Sequence, residues 1–316
     1  MFKIGIVGTG IIAGRHIKAI DRCDDLTITC VCDIDPEKAE KAAAETGTNA
    51  YTDYKVMAEN ESLDCVILNL PHFLHKDVTV YFLNRGVSVL VEKPMANTVE
   101  ECNEMIAAAK ANSVYLGIGH VQKYHECFRI LKKIVEDETL GKLCSITETR
   151  NIDYFTDVRP KWFLSKKHAG GGIVMNYCAH TMDKIFYSTG LDVEEVHAFG
   201  NNFLTDDDVE ATCQVLLKFK GGATAALTYC GTKVPNQYDT YFYFTHGTVA
   251  ILRGGRGMKI SKHGEDPVEY DFTDNTVFDQ QIHELVKMLK GEENEIVTPE
   301  MGRKIIEVNE KIVSMI

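Results

Sequence analysis

The first third of the chain alternates short apolar runs, rich in β-branched residues, with amphipathic stretches of helical period. Phe2 to Val7, Leu26 to Asp33, Asp64 to Leu70, Val87 to Val91 and Val114 to Ile118 predict strands, and segments near 13–22, 36–46, 75–85 and 98–111 predict crossover helices. Strand then helix, repeated, predicts an α/β Rossmann-type doubly wound parallel sheet with right-handed crossovers. The runs CVILNL and VSVLVE are apolar at nearly every position, as strands covered on both faces are. From about residue 140 strand-like segments follow one another: Cys144 to Asn151, Val193 to Asn202, Glu210 to Phe219, Ala223 to Cys230, Tyr238 to Thr245 and Thr248 to Leu252. Short links such as Lys220-Gly221-Gly222 and His246-Gly247, with inside/outside alternation, predict a large, mainly antiparallel sheet with one open face in an α+β domain. Two helices, near 276–290 and 299–315, close the chain, the second behind Thr298-Pro299 as N-cap and first turn. The predicted organisation is a dinucleotide-type domain over 1–121 and a substrate-binding and oligomerisation domain over 122–316.

Composition narrows the function classes. The chain has 316 residues, 45% hydrophobic and 25% charged, which fits an ordinary folded protein. A formal net charge of −12 repels phosphate backbones and anionic lipid, so neither nucleic acid nor a membrane surface is an expected partner. With no apolar run long enough to span a bilayer and no leader-like start, a cytoplasmic location is expected. Ten cysteines without a Cys-x-x-Cys pair, several inside apolar runs, read as reduced core thiols.

The segment IGIVGTGIIAG at 4–14 runs a strand into Gly8-Thr9-Gly10-Ile11-Ile12-Ala13 and then a helix. Gly8 permits the tight turn, Gly10 the close approach of a pyrophosphate, and Ala13 close helix packing. Asp33, at the end of the second strand, stands where a ribose diol is read. Ile34-Asp35-Pro36 follows, with no adjacent cation for a 2′-phosphate, so NAD is expected over NADP, and Lys38 is the nearest feature that softens this preference.

Val91-Glu92-Lys93-Pro94 ends the strand predicted at Val87 to Val91 and puts Lys93 at the carboxyl edge of the parallel sheet, where ligands of open α/β folds bind. Further on, Gly170-Gly171-Gly172 precedes a segment in which Asn176, His180 and Asp183, at spacings of four and three, share one face of a predicted helix. Zinc at His72 and His75, or at Cys178 and His180, is not expected, because no closed four-ligand set appears.

These motifs together resemble the glucose-fructose oxidoreductase, inositol dehydrogenase and rhizopine catabolism (Gfo/Idh/MocA) family. The resemblance spans nearly the whole chain: GTGIIA, Pro71 with His75, Glu92-Lys93-Pro94, GHVQKY at 119–124, the glycine run leading to His180-x-x-Asp183, and VTPEMGRK. It implies an NAD(P)-dependent dehydrogenase or reductase acting on a secondary CH–OH group of a sugar, cyclitol or derivative. It further implies that Lys93 stabilises the developing alkoxide and that His180 takes the hydroxyl proton. Leu70, Pro71, His72, His75 and Glu92 would line the nicotinamide side of the cofactor, and His120, Lys123, Tyr124, Trp162 and Asn176 the substrate side. Many sugar and inositol dehydrogenases of the family carry Asp four residues before the histidine, where this chain has Asn176. An amide hydrogen-bonds a hydroxyl but adds no charge beside an imidazolium. Arg159, Lys161, Asn236, Gln237 and Tyr238 are further candidates for the substrate cleft. The partners expected are a small carbohydrate or polyol and further copies of the chain, a dimer or tetramer formed through the open sheet face. Two rivals stay open: an NAD-using, glycoside-cleaving enzyme without net redox change, and a non-catalytic NAD-binding sensor.

Overall fold

The structure, a computed structural model, describes residues 1–156, 159–203, 208–273 and 276–316. It divides into two compact units, Met1–Val121 with Thr276–Ile306, and Gln122–Asn275 with Glu307–Ile316. The first cut falls between Val121 and Gln122. Residues 276–306, which the pattern assigns to the second domain, pack with the first instead. Amphipathic period marks a helix as having an apolar face but not which sheet that face covers.

The first unit runs β1 (Phe2–Val7), α1 (Ile11–Ile20), β2 (Leu26–Cys32), α2 (Pro36–Thr46), β3 (Asn49–Tyr51), α3 (Tyr54–Asn60), β4 (Cys65–Leu68), α4 (His72–Leu83), β5 (Ser88–Glu92), α5 (Val99–Asn112) and β6 (Leu116–Gly119). Its six strands are all parallel in the order β3-β2-β1-β4-β5-β6. The order reverses between β1 and β4, which opens the switch-point crevice at their carboxyl ends. β4 is buried along its whole length, as its unbroken apolar run predicts. The short β3 and α3 escape sequence reading, since a three-residue, largely exposed edge strand carries no periodic signal. Helix starts follow local chemistry. Asp35 accepts from the N–H groups of Glu37 and Lys38 to open α2, and Thr98 accepts from Glu101 N–H to open α5.

The second unit contains α6 (Glu126–Glu136), β7 (Leu143–Asn151), α7 (Lys166–Ala169), a π-helical turn at Val174–Cys178 leading into α8 (Ala179–Thr189), and then β8 (Val193–Asn201), β9 (Thr212–Phe219), β10 (Thr224–Cys230), β11 (Gln237–Phe244), β12 (Gly247–Leu252), β13 (Gly257–Lys262) and β14 (Val268–Asp271). Its sheet has the order β14-β13-β12-β11-β7-β10-β9-β8, antiparallel except between β7 and β10. Ile146, Glu148 and Arg150 of β7 are buried on one face, and Ser145, Thr147 and Thr149 alternate to the other.

Two further helices follow, α9 (Val277–Lys290) and α10 (Pro299–Val313). α9 packs on α1: the His16 ring meets Phe278 edge-on at 5.1 Å, and Arg22 pairs with Asp279. Val297 bridges to Ile118 at the sheet edge, and α10 begins in the first unit and ends in the second.

Candidate functional site

In the first unit the turn after β1 is shaped by Gly8. Its φ is +84°, and a Cβ there would lie 2.4 Å from the carbonyl oxygen of Asn69, just past β4. Gly8 N–H donates to Cys32 O and Asn69 N–H to Val7 O, both at 2.8 Å, which ties three strand ends together. A Cβ on Gly10 would meet nothing within 4 Å, and no side chain caps α1. The helix N-terminus therefore presents open N–H groups and its positive dipole end to an anion.

Asp33 is fixed by its neighbours. Its Oδ2 accepts from Thr9 N–H (2.8 Å) and Thr9 O–H (3.0 Å), and its Oδ1 accepts from Asp35 N–H (3.0 Å). A carboxylate has about four acceptor sites, so the oriented group still has capacity for a ribose diol. Lys38 pairs with Asp35 at 3.1 Å. That pairing holds the Asp35 carboxyl below its ordinary value and Lys38 above its own. Ile11 and Ile34, 88% and 91% exposed, offer apolar surface beside Gly10 and Asp33. These features together fit a dinucleotide: an open helix terminus for the pyrophosphate, an oriented carboxylate for the ribose, and apolar surface for a flat ring.

The Glu92-Lys93-Pro94 turn, in the same unit, is held from two sides. Glu92 Oε1 lies 2.9 Å from His16 Nε2 of α1, while Glu92 Oε2 accepts from Lys93 N–H at 3.2 Å. His75 is fully buried, its Nδ1 2.8 Å from Pro94 O and its Nε2 2.8 Å from Leu70 O. Burial pushes its pKa down against the pull of those carbonyls. His75 thus braces the lysine turn against the β4–α4 turn. His72 packs beside it, ring centroids 5.8 Å apart, at the first turn of α4 behind Pro71. A groove of about 340 Å³ between Ile106, Tyr115, Leu116, Met288 and Ile296 opens near the amino end of β6, the sheet edge opposite this chemistry.

In the second unit the three glycines serve different ends. Gly170 ends α7 at φ +77°, while a Cβ on Gly172 would stand 2.3 Å from Glu210 O. That approach lets Glu210 accept from Gly172 N–H (2.8 and 2.9 Å) and Val174 N–H (2.7 Å), capping the π-turn that leads to His180. Burial raises the Glu210 pKa, opposed by the same N–H groups. The segment predicted as one regular helix is therefore a π-turn followed by α8, with Asn176 in the wider turn and His180 and Asp183 in the helix. Asn176 hydrogen-bonds the Tyr154 hydroxyl, and burial pushes Tyr154 up to about 12. His180 is 9% exposed and Asp183 2%. Burial drives Asp183 up to about 7, with Lys123 and Lys184 pulling the other way.

Of the other candidates, Lys123 is buried with its ammonium 5.2 Å from the Tyr124 and Tyr187 rings, and Tyr124 is a core residue. Trp162 stacks on Phe163 with centroids 3.8 Å apart, and Arg159 lies over Tyr154. His120, buried at the end of β6, accepts through its carbonyl from Gln281 Nε2 at 3.5 Å. Tyr238 O–H donates to Gln122 Oε1 at 2.7 Å and accepts from Lys184 Nζ at 2.6 Å.

Sequence reading does not single out His16, Glu210 as a cap, or the polar core between β7 and α8. In that core Lys184 Nζ lies 2.9 Å from Glu148 Oε2. Thr240 donates to Glu148 Oε2 at 2.7 Å, and Thr181 donates to Oε1. Burial alone would raise Glu148, but Lys184 and the two hydroxyls hold it below its ordinary value. A charged residue inside an alternating strand is the only trace of this core in the sequence.

Residues 2–120 match a family model described as an oxidoreductase family with an NAD-binding Rossmann fold, and residues 128–250 match the GFO/IDH/MocA C-terminal domain. Among curated proteins, the 2,7-anhydro-N-acetylneuraminate hydratase of Escherichia coli is 26% identical over 236 residues, covering 72% of this chain and 62% of that protein. The chain thus spans less than two thirds of the first curated relatives it matches. The NADP-dependent scyllo-inositol 2-dehydrogenase of Bacillus subtilis is 37% identical over 134 residues, 42% of this chain and 41% of that one. The crystal structure of an aldose-aldose oxidoreductase from Caulobacter crescentus superposes with a TM-score of 0.90 at 25% identity, covering 99% of this chain and 97% of the other.

Proposed function

Because this chain belongs to the GFO/IDH/MocA family of NAD-binding oxidoreductases, we propose that it moves a hydride between the nicotinamide and a secondary carbinol or ketone of a sugar, cyclitol or sugar derivative. The observation that carries the reading is that one unit holds both the dinucleotide cradle of Gly8, Gly10 and Asp33 and the Lys93 turn, itself fixed through Glu92 and His75. Bound NAD supplies the hydride acceptor in the oxidative direction. Lys93 presents an ammonium to the substrate oxygen and stabilises the alkoxide as it forms. His180 accepts the hydroxyl proton, and Asn176 hydrogen-bonds the reacting polyol. Asp33 and the pairing of Lys38 with Asp35 favour a ribose diol over a 2′-phosphate, hence NAD over NADP. The inositol and aldose enzymes among the relatives support the substrate class.

A redox-neutral outcome is favoured by one observation, the hydratase among the first relatives. One experiment separates the two: incubate the protein with NAD and a panel of cyclitols, free sugars, sugar acids and glycosides, and follow both NADH and carbohydrate product. NADH accumulating with product supports the dehydrogenase. Product without NADH supports the redox-neutral reading, and NAD binding without any product supports the sensor.

Two finer points complete the proposal. Phe199, Leu216, Tyr241 and Tyr243, 80%, 57%, 37% and 37% exposed, lie among threonines on the outer face of the second sheet and suit a second copy of this chain. Light scattering on Leu216→Glu should show a smaller particle than the parent. The ten free cysteines fit a reducing compartment such as the cytoplasm, and among the described residues no helix is long and apolar enough to cross a membrane.

A further inference from the structure

Arg150 is the most anomalous charge in the second unit. It sits on β7 at 7% exposure, on the same face as Glu148 and two positions further along. Its guanidinium lies between two rings, 4.2 Å from Tyr177 of the π-turn and 4.4 Å from Tyr238, its cross-strand partner on β11. Nε and Nη1 are buried without an acceptor among the described residues. Glu148, on the same face, accepts instead from Thr181, Lys184 and Thr240.

A guanidinium does not shed its proton to escape burial, and an uncompensated buried cation is costly. The two ring faces offset part of that cost through cation–π attraction and hold the plane in one orientation. They supply no acceptor for the N–H groups. Such a group is kept for an anion that arrives from outside. Its position indicates which anion: Tyr177 follows Asn176 directly and lies three residues before His180, so the cation stands beside the turn that carries the proposed polyol-binding residues. The neighbouring cations are already engaged, Lys184 with Glu148 and Arg159 with the Tyr154 ring and carbonyl. The planar fork of a guanidinium matches a planar carboxylate in bidentate fashion.

We propose that Arg150 is an anchor for a carboxylate carried by the substrate, which makes the substrate a sugar acid of the uronate type rather than a neutral polyol. The inference rests on the polyol reading above and narrows it. The guanidinium holds the carboxylate end, and the carbinol to be oxidised is presented from the other part of the ring.

Binding of D-glucuronate, D-glucose, myo-inositol and D-glucose 6-phosphate to the NADH-loaded protein, measured by calorimetry, tests this. Parent, Arg150→Met and Arg150→Lys are compared, with thermal unfolding recorded for each. Glucuronate should bind the parent at least tenfold more tightly than the neutral sugars, lose that advantage in Arg150→Met, and regain part of it in Arg150→Lys. Without sugar, Arg150→Met should unfold at a higher temperature than the parent, because an unpaired buried charge is gone. Glucuronate binding that ignores Arg150, or is no tighter than binding of neutral sugars, overturns the assignment while leaving the polyol reading intact. Glucose 6-phosphate binding more tightly than glucuronate through Arg150 overturns the carboxylate in favour of a phosphate. No binding by any of the four, with NADH still held, removes the polyol reading and this inference with it.

Discussion

The carboxyl edge of the parallel sheet and the helix-covered face of the second sheet handle buried polarity in opposite ways. At the first, nearly every polar group is tied to backbone: Asp33 to Thr9 and Asp35 N–H, Glu92 to Lys93 N–H, His75 to the carbonyls of Leu70 and Pro94. At the second, side chain meets side chain, with Glu148, Lys184, Thr181, Thr240 and Tyr238 in one network and Arg150 beside it, its Nε and Nη1 without an acceptor among the described residues. Backbone-held groups fix geometry for a ligand common to many proteins. Side-chain networks are adjustable residue by residue, and there a fold that binds a shared cofactor acquires its own substrate.

The comparison predicts where substitution costs most. Removing one member of the buried pair, as in Glu148→Gln or Lys184→Met, should destabilise by about 3–5 kcal/mol by leaving the other uncompensated, whereas the double replacement Glu148→Met with Lys184→Met should cost far less. Chemical denaturation of all three variants checks this. A cost for the double equal to the sum of the two single costs would show that the network does not act as a pair.

The next effect depends on pH. Asp183 is raised by burial from its ordinary 3.8 to about 7, so between those values the folded chain keeps a proton that the unfolded chain has lost. Stability from this group is fully present below the lower value and lost as pH rises through the upper one, on the order of a few kcal/mol. The parent melting temperature should therefore fall across that window more steeply than that of Asp183→Asn. Parallel profiles would remove Asp183 from the account.

A smaller effect is expected at the cap. Glu210→Gln keeps the shape of the group that receives Gly172 and Val174 N–H but removes its charge, and should cost about 1 kcal/mol by denaturation. A larger loss would mean that Glu210 holds more than the start of the π-turn.

The two regions also differ in how much of them sequence reveals. The Gly8 turn and the strand-end carboxylate of Asp33 stand out in the sequence because a tight turn and a fixed spacing each demand one residue type. Strand and helix order are legible because two-sided burial and amphipathic period leave plain patterns, as in Cys65–Leu68. Arg150, Glu148 and Glu210 are not, since the groups they meet lie 27 to 92 positions away, and no local pattern encodes such a distance. His16 and α9 fail for the same reason: a helical face shows that it is buried, not what it meets. The π-turn at Asn176 escapes because its residues carry ordinary helical propensity and only the Gly172–Glu210 contact reveals its setting.

The most direct test of the central claim is single-turnover reduction of NAD by the best polyol of the panel, for the parent and for Lys93→Ala, with NAD affinity measured on the same samples. The account predicts that Lys93→Ala binds NAD as the parent does and transfers hydride about 10²- to 10⁴-fold more slowly. Equal transfer rates, or a loss explained entirely by failed NAD binding, would contradict the role given to Lys93.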